Sequence, residues 1–429
     1  MSENNTKLST GADKPEAVGQ IRGVVKRTLY PLFAVCLLML MASVTQAQPY
    51  QIINTENSTV AGNLKKTVTT VQVGDNPLNR FLISRVVKDV PNHALKGVIL
   101  LLPPLGSGFQ NYEVGENDDY KNSFVAFFAL QNFDVWGYSQ RVQGIVAGTC
   151  ESGAVDCSAM ADWGLQTIVE DVAFIRQRIE LVHPNRKPVV GGLSLGSIAS
   201  LATINAHPAD YSGAMLIDGT IYDEDPAVRA INANFCAAFD DLLANGVFFD
   251  GQGGPGFKLL SFLAKVDPNG LTPLPGFPPG FTNHRAFVAA LSAPPLSPLT
   301  PRPGFYNLAG SVEEDRFFFA NESLVHSNVA QFVDYTAIRT LRDLSCGLAG
   351  DQTFTDNLHS FTGPVIMFAA GHGFGPGMVD TAELMTSAKV TLNFNEEYGH
   401  VDYVFSTRHL KELERPILKW LKKEVFKKP

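Results

Sequence analysis

The chain has 429 residues, 45% of them hydrophobic, which is enough apolar material for a large core in one or two domains. Its formal net charge is −8, and the first 47 residues carry five basic and three acidic side chains, so the remainder is more acidic, at about −10. An acidic chain without a Lys/Arg stripe argues against nucleic acid as a partner.

Residues 1–27 are mostly polar and end in Arg22, Lys26 and Arg27; an apolar run over 29–44 follows, then Thr45-Gln46-Ala47 with small residues suited to cleavage. That order reads as a secretory signal peptide over 1–47, cleaved near Ala47, which predicts a secreted or periplasmic protein. The apolar run is shorter than the roughly 20 residues a bilayer-spanning helix needs, so no stable span is expected in the mature chain. Four cysteines remain after Ala47, an even number suited to an oxidising compartment. The expected pairing is a local clip, Cys150 with Cys157, and a long-range staple, Cys236 with Cys346. Their spacing does not resemble a zinc site, and no metal is expected.

Residues 67–73 and 81–87 read as an antiparallel opening pair, and 97–102 and 133–137 as apolar strands. Leu165, Ile168, Val172, Ile175 and Ile179 recur at helical spacing and predict one buried stripe. The apolar segment 189–193 then runs into Gly192-Leu193-Ser194-Leu195-Gly196 and a helix-like Ser197-Ile198-Ala199-Ser200-Leu201. A G-x-S-x-G between a strand and a helix forces a tight turn that holds the central serine in a strained conformation. The flanking glycines remove Cβ atoms that would clash there. Residues 214–217 form the next predicted strand. From 222 to 361 the strand–helix rhythm is lost to proline-rich stretches and many phenylalanines, including Phe248, Phe249, Phe257, Phe262, Phe277, Phe281 and Phe317-Phe318-Phe319. This stretch is too apolar for a disordered linker and reads as a packed cap. Strands at 364–369 and 390–394 follow, and an amphipathic helix is expected from about Pro416, carrying Leu418, Leu421 and Val425. Alternating strands and helices imply a mostly parallel sheet covered on both faces.

Three landmarks resemble the α/β-hydrolase superfamily, and its capped lipase- and esterase-like branch. They are the Gly192–Gly196 turn, the strand-end segment Leu102-Pro103-Pro104-Leu105-Gly106-Ser107-Gly108, and Tyr398-Gly399-His400-Val401-Asp402-Tyr403. The resemblance implies a central, mostly parallel sheet flanked by helices with a helical, Phe/Pro-rich cap insertion. The expected plan is a core in two parts, 48–221 and 362–429, interrupted by the cap at 222–361. It also implies roles. Ser194 would be the nucleophile and His400 its general base, with His372 the competing histidine. Leu195 would supply one oxyanion N–H and Leu105, or alternatively Gly106, the second, since Pro103 and Pro104 have no N–H to give. For the acid, the family's usual position after strand 364–369 offers no carboxylate before Asp380. One strand earlier stands Asp218, which is preferred, with Asp380 the alternative and Glu396 or Glu397 behind it. Asp402 reads as a structural partner of its loop.

The implied activity is that of a secreted serine hydrolase cleaving a carboxylic ester through an acyl-enzyme, acting on a small-molecule or lipid-like ester without cofactor. Acyl transfer to another acceptor is open on the same residues. A catalytically silent binding protein of the same fold is the rival from a different class.

Overall fold

A computed structural model describes residues 49–426, except 91–93, 154, 252 and 294–299. The expected leader at 1–47 lies outside the described residues. No helix among the described residues is long and apolar enough to cross a membrane.

The sheet is built from β1 (Tyr50–Ala61), β2 (Leu64–Val73), β3 (Arg80–Lys88), β4 (Gly97–Leu102), β5 (Phe133–Ser139), β6 (Val189–Leu193), β7 (Gly213–Ile217), β8 (Val365–His372) and β9 (Val390–Gly399). Its nine strands lie in the order β1-β2-β3-β5-β4-β6-β7-β8-β9. The first three form an antiparallel meander and β3 joins β5 antiparallel. From β5 to β9 every pairing is parallel. The central strands are apolar on both sides because both faces are covered. In β4, Ile99 and Leu101 point into one core and Val98, Leu100 and Leu102 into the other. The first core is completed by α1 (Phe124–Leu130) and by the C-terminal helical segment through Leu413, Ile417, Trp420 and Leu421. The second is completed by α2 (Leu165–Val182), whose expected stripe of Leu165, Ile168, Val172, Ile175 and Ile179 is buried, and by α3 (Leu195–Ala206).

Between β7 and β8 lie α4 (Pro226–Ala244), α5 (Gly253–Val266), α6 (Asn283–Ser292), α7 (Glu322–Val329) and α8 (Ile338–Leu348). Two small antiparallel ladders join them, Phe249–Asp250 with Thr336–Ala337 and Gly310–Ser311 with Arg316–Phe317. The helix α4 starts on Pro226, where a missing N–H costs nothing, and the Asp225 carboxylate caps the Ala227 N–H at 2.8 Å. The disulfide Cys236–Cys346 joins α4 to α8, and Cys150–Cys157 closes a short loop. The helix α9 (Gly375–Leu384) then separates β8 from β9.

Two features differ from the sequence reading. Strand β1 was not expected, because YQIINTENSTVA shows no apolar alternation; it is an edge strand with most side chains in solvent, so burial imposes no pattern on it. The C-terminal helical segment begins at Leu410 rather than near Pro416, and its buried side is Leu413, Ile417, Trp420 and Leu421, with Leu418 only half-buried.

Tyr50 anchors the start of β1. Its ring stacks on Phe174 at 4.7 Å and its hydroxyl reaches the Asp171 carboxylate at 3.3 Å. That carboxylate is fully buried and also takes the Arg141 guanidinium in two bonds of 3.0 and 2.7 Å and the Tyr138 hydroxyl at 3.1 Å. Burial pushes Asp171 above the usual carboxylate range despite these partners. Arg141→Met should therefore destabilise the chain by about 3 kcal/mol near neutrality, because it leaves a buried charge unpaired. The loss should be smaller at pH 5 than at pH 7, because a falling pH favours the uncharged form of Asp171. Urea unfolding at the two pH values measures both effects.

Candidate active site

Ser194 sits on the turn between β6 and α3 with φ +57° and ψ −121°, a left-handed conformation costly for a residue with a side chain. The surroundings enforce it. A Cβ on Gly192 or on Gly196 would run into the Leu102 carbonyl oxygen at the end of β4, so the turn closes only with glycine at both places. The Ser194 N–H donates to the Ile217 carbonyl at 2.9 Å. Tyr112 pins the same turn: its buried hydroxyl donates to the Leu102 carbonyl at 2.7 Å and accepts the Leu193 N–H at 2.7 Å. Burial raises the Tyr112 pKa, which keeps the donor proton in place. The sequence reading missed this tyrosine, since its partners lie on two other strand ends.

His400 follows β9. Its backbone N–H donates to the Tyr306 carbonyl at 2.9 Å, and the next N–H, of Val401, donates to the Asn307 carbonyl at 2.8 Å. The imidazole is 5% exposed, flanked by the rings of Phe305 at 5.3 Å and Phe374 at 5.1 Å. Its Nε2 lies 2.8 Å from Ser194 Oγ and its Nδ1 2.7 Å from Asp218 Oδ2. An ionised carboxylate only accepts, so Asp218 selects the tautomer with the proton on Nδ1 and leaves the Nε2 lone pair facing the hydroxyl.

Asp218 stands at the tip of β7, fully buried, with φ +36°. Its Oδ1 accepts the Ala370 N–H at 2.7 Å and its Oδ2 also accepts the Phe374 N–H at 3.0 Å. The chain passes the carboxylate at Gly373, where a Cβ would collide with Oδ2. Hydrogen bonds from Ala370, Phe374 and His400, all 152 or more residues further along the chain, thus fix one carboxylate. The other candidate acids lie elsewhere. Asp380 is on α9 and accepts the Glu224 N–H at 2.9 Å, and among the described residues no hydrogen bond joins it to His400 or Ser194. Glu396 and Glu397 are exposed on edge strand β9. His372, the competing histidine, is half-exposed, stacks on Tyr306 at 4.5 Å and contacts the Gly304 carbonyl at 3.2 Å.

The loop after β4 faces the serine. Leu105 and Gly106 line the same cavity as Ser194 and Leu195. Leu195 is the first residue of α3, so its N–H has no acceptor one turn back within the helix. Among the described residues no acceptor pairs with the N–H of Leu105 or of Gly106. The Gly106 carbonyl accepts the Val333 N–H at 2.7 Å, tying this loop to the insertion.

The cavity over Ser194 and His400 holds about 420 Å³. Its roof comes from the insertion, with Phe235 and Phe239 of α4, Phe257 of α5, and Leu341, Leu344 and Leu348 of α8. Of the phenylalanines singled out in the sequence, only Phe257 lines it; Phe262 is 59% exposed and Phe317 is buried in the core. Among the described residues no lysine or arginine lines the cavity, and Asp250 is the one carboxylate.

No protein-family model matches the chain, and no curated protein does. Solved structures do. A protein from Sulfolobus solfataricus proposed to be a lipase superposes with a TM-score of 0.63 at 19% identity, over 87% of this chain and 98% of its own. A highly thermostable carboxyl esterase from Bacillus coagulans gives 0.49 at 15% identity, over 85% and 100%. A thermophilic esterase from Thermogutta terrifontis gives 0.45 at 13% identity, over 83% and 98%. Taken with the nine-stranded sheet, the superposition on the Sulfolobus protein identifies the chain as having the α/β-hydrolase fold.

Proposed function

We propose that the protein is a secreted serine hydrolase that cleaves carboxylic esters. The observation that carries this reading is the unbroken line Ser194 Oγ, His400 Nε2, His400 Nδ1, Asp218 Oδ2, with steps of 2.8 and 2.7 Å. A serine hydroxyl is a poor nucleophile until a base takes its proton as the new bond forms. In this mechanism Ser194 Oγ attacks the ester carbonyl while its proton passes to His400 Nε2. Asp218 then stabilises the imidazolium. The tetrahedral oxyanion is held by the N–H groups of Leu195 and of Leu105 or Gly106, each such donor being worth about 3 kcal/mol of barrier. The imidazolium gives its proton to the leaving alkoxide, and the acyl-enzyme is hydrolysed by water deprotonated by the same base.

The cavity favours neutral esters with apolar acyl or alcohol groups, because among the described residues no lysine or arginine lines it to pair with a substrate anion. Residues 222–361 act as a cap over the site. The two disulfides suit an oxidising compartment. The Sulfolobus neighbour, itself proposed to be a lipase, agrees with this chemistry.

A fluorophosphonate probe tests the reading. One phosphonyl group should attach per chain, located at Ser194 by peptide mass, and the Ser194→Ala protein should take none. A folded, oxidised native chain that does not react would overturn the assignment in favour of a silent binding protein.

A further inference from the structure

Asp402 lies two residues past the proposed base, is 0% exposed, and does not touch the imidazole. Its Oδ2 accepts the Gly399 N–H at 2.7 Å, from the residue before His400, and the Ala309 N–H at 2.8 Å, from the insertion. Among the described residues Oδ1 has no donor. These two bonds continue the pair that His400 and Val401 make to the carbonyls of Tyr306 and Asn307, so the histidine loop and segment 306–309 are laced together along their length. The approach is close: a Cβ on Gly399 would meet the Tyr306 ring and the Asn307 carbonyl. Phe305, Asn307 and Leu308 of that segment line the substrate cavity.

We propose that Asp402 is a positioning residue for His400, a buried carboxylate that clamps the loop bearing the imidazole to the segment of the insertion that walls the cavity. This rests on the reading of Ser194, His400 and Asp218 as the reacting groups. A carboxyl removed from water and given only two N–H donors is retained at a cost, which an apolar side chain would avoid, and the loop it holds is the one whose placement sets the 2.8 Å step to Ser194.

The charge state of the clamp matters as well. Burial, with the Asp218 charge nearby, pushes Asp402 up to about 7. The other titratable groups facing it are Tyr306 from the insertion, Tyr398 from β9 and His400 on its own loop. Both tyrosines are pushed up to about 12, so they are neutral around pH 7, and Asp218 is the like charge that acts on Asp402. As the pH rises through 7, Asp402 ionises and its hydrogen bonds gain a charged acceptor, which strengthens them.

The native enzyme therefore should show in its kcat/KM profile a gain of roughly three- to tenfold near pH 7 that depends on Asp402. In Asp402→Asn that gain should vanish and the plateau fall roughly tenfold, mostly in kcat, with fluorophosphonate still attached to Ser194. The thermal midpoint gives an independent reading. A carboxyl raised in the folded state stabilises fully below its unfolded pKa and that contribution is lost as pH rises through 7, so the native midpoint should fall relative to the asparagine variant between pH 4 and 8. Absence of native labelling would sink the hydrolase reading itself. Native labelling with an asparagine variant whose profile and plateau match the native ones, the gain near pH 7 included, would overturn the role of Asp402. The native profile needs no variant to fold.

Discussion

Asp218→Asn is expected to lower kcat on a small chromogenic ester by at least a hundredfold and up to about ten-thousandfold, while Asp380→Asn stays close to the native rate. The hydrogen-bond inventory of the carboxylate supplies the reason. Both oxygens of Asp218 accept: Oδ1 from the Ala370 N–H, Oδ2 from the Phe374 N–H and from the histidine. An asparagine has one acceptor oxygen and one NH2 group. If its oxygen faces Ala370, the NH2 group points at His400 Nδ1 and stabilises the tautomer whose Nε2 carries the proton, which cannot act as a base. If its oxygen faces the histidine, the NH2 group opposes the Ala370 N–H at the buried tip of β7. Either arrangement harms the site, and the first disables it. Asp380, on α9, holds only the Glu224 N–H among the described residues, so its loss touches no reacting group. Ser194→Ala and His400→Ala should each cost more, on the order of a millionfold, and the double variant little beyond either, since these groups act as a unit. A larger loss from Asp380→Asn than from Asp218→Asn would reverse the assignment of the acid.

What could be read from the chain divides along a physical line. Patterns imposed by local geometry or by two-sided burial were legible. The apolar runs of β4 and β7 exist because helices cover both faces of the sheet, and the Ser194 turn needs glycines because the Leu102 carbonyl crosses behind it. The antiparallel pair over β2 and β3 and the stripe of α2 follow from the same logic. Features set by contacts between distant segments were not legible. Strand β1 is hidden because an exposed edge has no obligatory pattern. Asp218 was preferred over Asp380 and the β9 glutamates only through the resemblance, because the pairing with His400 spans 182 residues and none of these carboxylates carries a local mark of it. Tyr112, which holds the serine turn from both sides, looked like any core tyrosine. The cap's phenylalanines were visible as a composition, but Phe257 facing the cavity and Phe262 facing solvent differ only by their side of α5.

The second large effect expected concerns the staple across the cap. Replacing Cys236 and Cys346 together by serine should lower unfolding stability by about 4 to 5 kcal/mol, against about 2 kcal/mol for the Cys150 and Cys157 pair. The difference follows from the closed loops, 110 residues in one case and 7 in the other, because the longer crosslink removes more freedom from the unfolded chain. The staple also joins α4 to α8, which pack directly against each other and both line the cavity, through Phe235 and Phe239 of the one and Leu341, Leu344 and Leu348 of the other. Neither Ser194, His400 nor Asp218 rests on that junction. Its removal should therefore spare fluorophosphonate labelling, raise KM for esters with bulky acyl groups, and leave kcat for an acetyl ester within about threefold. Urea unfolding under non-reducing conditions, followed by a KM series of increasing acyl length, separates the two consequences. A KM series identical to the native one would mean that the walls of the cavity are held by packing alone, and a stability loss no larger than that of the short loop would remove the entropic account of the staple.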